Sequence, residues 1–343
     1  MGKTFTLKRF DHNDQASFAQ AVEIALVQSQ VELRTPGTLV QETRRGGRPF
    51  LYWHRYTPDG KLEKQYVGPV SGEEEKRATQ HLQELLLLRE TSKKLRKLGF
   101  AAVDNSTALT LAVLHNADVF DRGAVLVGTH AYSALLNSLG ARIIPSPLTE
   151  DVDIAARLEL ATVPSRGLFD ILKETGLPFV EVPSLRRMEP PTSFKVRGQK
   201  LKVDLLVPAK GEPYRSVAVP VFGAHAIGLP YLDYLLHEPV RSIVIGKDRL
   251  VPVALPQPGR YCVHKLAVSA LRSPGSSKSD KDVLQAAVLA AVLAATQEFA
   301  LEEAVDEAKR ALRQKARRGA TRAARLLGRD YPEAVGLMER LAD

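Results

Sequence analysis

Ala124-Val-Leu-Val-Gly128-Thr129, Thr149-Glu-Asp151-Val-Asp153-Ile-Ala155 and Lys200-Leu-Lys-Val-Asp204-Leu-Leu-Val207 are the stretches that decide how this chain is read. The first is an apolar run ending in a small-residue turn. Ala131–Leu139 then predicts a short helix stopped by Gly140. Backbone N–H groups at such a strand-to-helix turn point into an anion site, and the helix dipole favours phosphate there. In the second stretch, residues two apart on a strand face the same way. Asp151 and Asp153 therefore project together with Cα atoms roughly 7 Å apart, while Val152 and Ile154 face the core. The third stretch repeats the theme, with Asp204 on a strand that is apolar around it.

Three carboxylates on adjacent strands can hold two hard divalent cations roughly 4 Å apart, which suits phosphoryl transfer. Taken alone, an Asp-x-Asp is more often a solvated strand end. Asp204, however, lies between Val203 and Leu205 in a strand too apolar for a surface edge. An unpaired carboxylate buried there is costly unless a cation or hydrogen bonds compensate it. The ordered set of Gly-Thr, Asp-x-Asp and a distant strand aspartate resembles the DNA polymerase β-type nucleotidyltransferase superfamily. The longer run from Gly128-Thr-His-Ala131 through Leu139-Gly-Ala-Arg142 to Asp151-Val-Asp153-Ile is most similar to the abortive-infection toxin nucleotidyltransferases and an uncharacterised group of bacterial relatives.

Composition sets wider bounds. The chain has 343 residues, enough for two or three domains, and 44% of them are hydrophobic, as in a soluble globular protein. The apolar stretch Val283–Ala295 is too short to span a bilayer. Met1-Gly-Lys-Thr-Phe-Thr-Leu-Lys carries no signal core, so cytoplasmic residence without a membrane partner is expected. The single cysteine, Cys262, excludes an intramolecular disulfide and a cysteine-based zinc site, and its helical context predicts packing as a small apolar residue. A net charge of +9 makes nucleotides and nucleic acid reasonable partners.

Along the chain, residues 11–28 predict an amphipathic helix. Residues 38–44, 48–57 and 61–68 predict a three-strand meander, its turns at Arg45-Gly-Gly47 and Pro58-Asp-Gly60. Ser71-Gly-Glu-Glu74 reads as a capping box opening a helix that stops at Gly99. The meander carries Arg44, Arg45, Arg48, Trp53, His54, Arg55, Tyr56, Lys61, Lys64 and Tyr66. Basic residues interleaved with aromatics suit contacts to nucleic acid, or equally a solvated hairpin face over an aromatic core. A helix at 107–117 then opens a segment of alternating strands and helices, including a hairpin of 193–197 with 200–207. Strands at 216–222, 240–246 and 249–253 surround a helix at 230–237. This pattern predicts an α/β (α+β) fold with a mixed sheet. From Pro256 onward the pattern is helical, and basic from Lys309 to Arg325. Three domains are expected: 1–99, the meander module with a possible role in nucleic-acid contact; 100–255, the nucleotidyltransferase core; and 256–343, a helical region closing over the nucleotide.

The helical end holds a second constellation. It is Tyr261-x-x-His264-Lys265-Leu-Ala, then Arg272 and Lys278-x-x-Lys281-Asp282-x-x-Gln285. The resemblance implies that Lys265 contacts the triphosphate, that Lys281 and Asp282 belong to the nucleotide-binding set with Asp282 orienting the site, and that Gly128 and Thr129 hold phosphates. It also implies Asp151, Asp153 and Asp204 as catalytic residues and ligands of Mg2+ or Mn2+. A nucleoside triphosphate such as ATP is the expected substrate, and an RNA 3′ end, tRNA in particular, the expected acceptor. The toxin-like resemblance adds a cognate antitoxin protein as a partner. Two rival readings stand beside this one: nucleotidylation of a protein or of a small-molecule hydroxyl such as an antibiotic's, and a catalytically inactive nucleic-acid-binding protein. Thr129 at the second turn position departs from the family's Gly-[Gly/Ser], because a β-branched residue resists unusual backbone geometry.

Overall fold

The computed structural model describes residues 5–43, 47–144, 151–155, 167–184, 189–273 and 276–342, with 151–155 described by backbone alone. Strand β1 (Thr6–Arg9) and helix α1 (His12–Leu26) precede the antiparallel meander β2 (Thr38–Thr43), β3 (Pro49–Tyr56) and β4 (Leu62–Pro69), and the long helix α2 (Glu73–Leu98). Then come α3 (Asn105–Asn116), β5 (Val125–Val127), α4 (Gly128–Ser138), β6 (Ala141–Ile144), β7 (Asp151–Ala155), α5 (Leu168–Lys173), β8 (Phe179–Val182), β9 (Ser193–Val196) and β10 (Lys202–Pro208). Strands β11 (Ser216–Val219) and β12 (Ala224–Leu229), helix α6 (Leu232–Leu235), and the hairpin β13 (Val240–Ile245) with β14 (Leu250–Leu255) follow. The chain ends in helices α7 (Pro258–Leu271), α8 (Ser277–Thr296), α9 (Glu298–Glu307), α10 (Arg310–Leu327) and α11 (Pro332–Ala342).

The central sheet has the order β11-β12-β10-β7-β5, with β9 also paired to β10 and β8 to β9. Strands β7 and β12 run parallel to β10, whereas β9 runs antiparallel to it and β5 antiparallel to β7. The mixed sheet expected from the sequence is therefore present. Strand β10 is interior, with β7 along one edge and first β9, then β12, along the other. Its two-residue period is plain: Val203, Leu205 and Val207 are buried, while Lys202, Asp204, Leu206 and Pro208 face a partly open surface.

Several elements depart from the sequence reading. Strands β1, β6, β8 and β12 were not expected; each has four to six residues, too few to establish a period. Strand β1 pairs with β6, and α1 and α2 pack against β13 and β14 through Phe10, Phe18, Leu95, Phe100 and Ile243. Residues before Gly99 thus share a core with the hairpin that follows the central sheet. Ser71 is not the helix cap: α2 starts at Glu73 behind Gly72, and the Ser71 N–H donates to the Glu75 carboxylate. Asp11 and Asp104 do cap α1 and α3.

Within the meander the aromatic and basic residues divide: Trp53 and Arg55 pack inside, while Tyr56 and Tyr66 are each 52% exposed and Arg48 is exposed. Trp53 and Arg55 are buried, the Arg55 guanidinium lies 4.3 Å from the Trp53 ring centroid, and it pairs with Glu32 at 2.7 Å. Lys61 pairs with Asp59, and Lys64 with Glu42, which His54 also approaches. Arg44 and Arg45 lie outside the described residues. Among the described residues, no helix is long and apolar enough to cross a membrane.

Candidate functional site

Register brings the separated aspartates to neighbouring positions. On parallel strands β7 and β10, Asp153 is the partner of Asp204 and Asp151 the partner of Lys202; on the other side, Asp153 pairs with Val127 of β5. The chain passes from Val127 directly into α4, so Gly128 follows the strand position beside Asp153. The helix begins three residues earlier than the sequence predicted. Gly128 has φ of 74°, a region open to glycine, which lets the chain turn at once. Thr129 lies within the helix, so its β-branch meets no backbone conflict. The first turn of α4 leaves N–H groups without helical partners, the usual anion site.

The sequence suggested that Asp204 is buried and compensated by a cation or hydrogen bonds; the compensation is present, the burial is not. Its side chain is 24% exposed, Lys202 Nζ lies 2.6 Å from Oδ1, and the Ser193 hydroxyl donates to the same oxygen. A cation therefore already stands at this carboxylate, and its oxygen chemistry fits hard ions such as Mg2+ or Mn2+. Among the described side chains no three His, Cys, Asp or Glu form a metal-holding group. Those of Asp151 and Asp153 lie outside that description.

A cleft of about 290 Å³ lies beside the carboxylate strand, and Leu206, two residues beyond Asp204, forms part of its wall. Val127 and Gly128 line one part; Lys265 and Arg272 of the α7 end supply its cations; Leu229, Pro230, Leu232, Leu235, Val268 and Leu271 make an apolar wall with Tyr214. Asp282, only 4% exposed, holds both cations, at 2.8 Å from Lys265 and 2.7 Å from Arg272. Lys265 and Asp282 are thus brought together as the sequence anticipated, whereas Lys281 does not line the cleft and its charge acts on His130. The buried Tyr261 hydroxyl donates to the Gly128 carbonyl at 2.8 Å and lies 3.5 Å from Gln285 Oε1, while Gln285 Nε2 lies 3.5 Å from Thr129 Oγ1. These contacts tie the turn at Gly128 to α7 and α8.

Arg272 stood in the second constellation but was given no role from the sequence, and Tyr214 was not picked out. Arg272 is separated from Lys265 by seven positions, close to two helical turns, and that spacing could have flagged it. Tyr214 enters from a loop and gave no signal.

Two histidines line or adjoin this region. His264 is buried with both ring nitrogens unpartnered among the described residues, and burial, aided by Lys265, pushes its pKa down to about 3. Burial also lowers that of His130 to about 4, with Asp104 opposing and Lys281 assisting. Because both folded values lie below the ordinary 6.5, the unfolded chain takes up protons first as pH falls. Stability is accordingly full above about pH 6.5 and declines toward pH 5, by roughly 1.4 kcal/mol per pH unit for each ring once below that value. Urea midpoints at pH 7, 6 and 5 check this; an unchanged midpoint would show that the rings are hydrated in solution.

With the geometry set out, comparison with known proteins adds one finding: a family model described as nucleotidyltransferase matches residues 105–310. The match runs from the start of α3 to the start of α10 and takes in β5, β7, β10 and the whole cleft. No curated protein and no solved structure matches the chain.

Proposed function

The chain belongs to that nucleotidyltransferase family, and from the geometry of its site we propose that it moves a nucleoside monophosphate from a nucleoside triphosphate to an acceptor hydroxyl. The observation that carries this is the register of β5, β7 and β10, with Asp153 between Val127 and Asp204 and with Gly128 next in the chain. Residues in register on adjacent strands, and residues two apart on one strand, share a face of the pleat. That supports Asp151, Asp153 and Asp204 as catalytic carboxylates and metal ligands. Mg2+ or Mn2+, when bound there, neutralises triphosphate charge and activates the acceptor.

The chain's own groups account for the rest. N–H groups of the first turn of α4, at Gly128 and Thr129, donate to phosphate oxygens. Lys265 and Arg272 offset phosphate charge from across the cleft, and Asp282 fixes their directions. Asp204 accepts the proton of the acceptor hydroxyl. The bond from the acceptor oxygen to the α-phosphorus forms as the bond to pyrophosphate breaks. The three-part division at 99 and 255 remains our proposal for the chain's organisation, the helical region forming one wall of the cleft.

For the acceptor, an RNA 3′ end is the reading that the charge distribution favours. Helix α10 buries Leu312, Ala316, Ala320 and Ala323 and leaves Arg310, Lys315, Arg317, Arg318 and Arg325 exposed. None of those five has an acidic partner among the described ion pairs. The helix lies directly behind α7: a Cβ built on Gly319 would stand 2.4 Å from the Leu266 carbonyl oxygen. Arg55, buried and paired, does not serve this surface. Incubation with each labelled nucleoside triphosphate, Mg2+ and either total RNA or total protein shows where label goes. Label in RNA supports this reading, and label in protein alone overturns it. Reversing charge at Arg317 and Arg318 is expected to weaken RNA binding roughly three- to tenfold at low salt and to flatten its salt dependence. Binding of nucleoside triphosphate stays the same. Equal salt slopes for variant and wild type would remove α10 from the acceptor surface.

A further inference from the structure

The cleft is lined by two chemically different sets of groups: the turn at Gly128 with the cations Lys265 and Arg272, and a larger apolar set that includes Leu206, Leu229, Pro230, Leu232 and Leu235. Tyr214 also lines the cleft, with 53% of its surface exposed, whereas Tyr261 is buried with its hydroxyl engaged. Tyr214 also holds a backbone conformation unusual for a bulky residue, with φ of 65°, kept in place by its N–H donating to the Gly228 carbonyl at 2.7 Å. A side chain that costs backbone strain and shields little of itself from water is a candidate for ligand contact. Among the described residues, no Asn, Gln, Ser, Thr, Asp or Glu side chain lines the cleft, and the ring nitrogens of His264 are enclosed.

We propose that the nucleobase of the incoming triphosphate stacks on Tyr214 and is held by apolar contact, so that the site takes purine nucleotides with little discrimination between adenine and guanine. This rests on the nucleotidyl-transfer reading of the cleft. The match is one of polarity: a flat, uncharged ring against Tyr214 and the apolar lining, phosphates against Lys265 and Arg272. Discrimination between bases needs side-chain donors and acceptors aimed at their edges, and loss of such a bond is what rejects a near-isostere. Stacking tolerates any base and favours the larger one.

Isothermal titration of the full chain in Mg2+ with ATP, GTP, CTP and UTP tests this, using wild type, Tyr214→Ala and Tyr214→Phe. The expected result is ATP and GTP within about threefold of each other and tighter than CTP and UTP. Tyr214→Ala should weaken both purines roughly 10- to 100-fold, and Tyr214→Phe should bind like wild type. Preference for one base beyond about a hundredfold, or Tyr214→Ala binding like wild type, overturns the proposal and leaves nucleotidyl transfer standing. Failure of every nucleoside triphosphate to bind wild type overturns both. A parallel titration with RNA separates the two sources of a nucleobase: weakening of RNA alone by Tyr214→Ala would assign the platform to the acceptor and overturn its assignment to the triphosphate.

Discussion

Asp153→Asn or Asp204→Asn is expected to lower nucleotidyl transfer by on the order of a thousandfold or more, with the protein still folded. An amide is a poor ligand for a hard cation and accepts no proton, so the loss falls on turnover. Stability moves little for the second variant. Asp204 gives up a partly exposed ion pair with Lys202, worth at most about 1 kcal/mol, and the Ser193 hydroxyl can still donate to the amide carbonyl. For Asp153, removing one of several neighbouring negative charges is neutral or mildly stabilising in the metal-free protein. Steady-state rates alongside urea denaturation separate the two effects. Wild-type turnover in either variant would remove that residue from the site.

Asp282→Ala is expected to produce the largest loss of stability, roughly 2 to 4 kcal/mol, because it leaves two cations facing each other where one nearly buried carboxylate joined them. Lys265 is 14% exposed and cannot easily turn to water, whereas Arg272, at 37%, can, which limits the cost. Pyrophosphate should then stabilise the variant more than it stabilises wild type, since an anion in the cleft replaces the missing charge. Thermal melts with and without pyrophosphate measure this. A variant that melts within about 1 °C of wild type and ignores pyrophosphate would show that the pair is a surface feature unrelated to the ligand.

Much of the sheet was legible because β10 alternates Val203, Leu205 and Val207 with Lys202, Asp204 and Leu206, and because Gly128 ends an unbroken apolar run. Local pattern could not disclose which strands become neighbours. The resemblance placed the three aspartates in one site, and the register of β7 with β10 is a tertiary fact that supports the assignment. Likewise the apolarity around Asp204 suggested burial, yet it describes the opposite face of the same strand. Within the meander, Arg55 was misread for a related reason: composition cannot tell Arg55 packed on Trp53 from Arg55 offered to phosphate. Tyr214 and Arg272 were invisible as a pair, for they meet the same cleft from segments that pack together only in the folded chain.

The most direct test of the central claim is the fate of label from nucleoside triphosphate carrying it at either the α- or the γ-phosphate, incubated with Mg2+ and total RNA and protein. The account predicts that α-label becomes covalently attached to a macromolecule while γ-label leaves as pyrophosphate, and that Asp153→Asn abolishes both. Attachment of the γ-label instead, or release of inorganic phosphate without pyrophosphate, would contradict it.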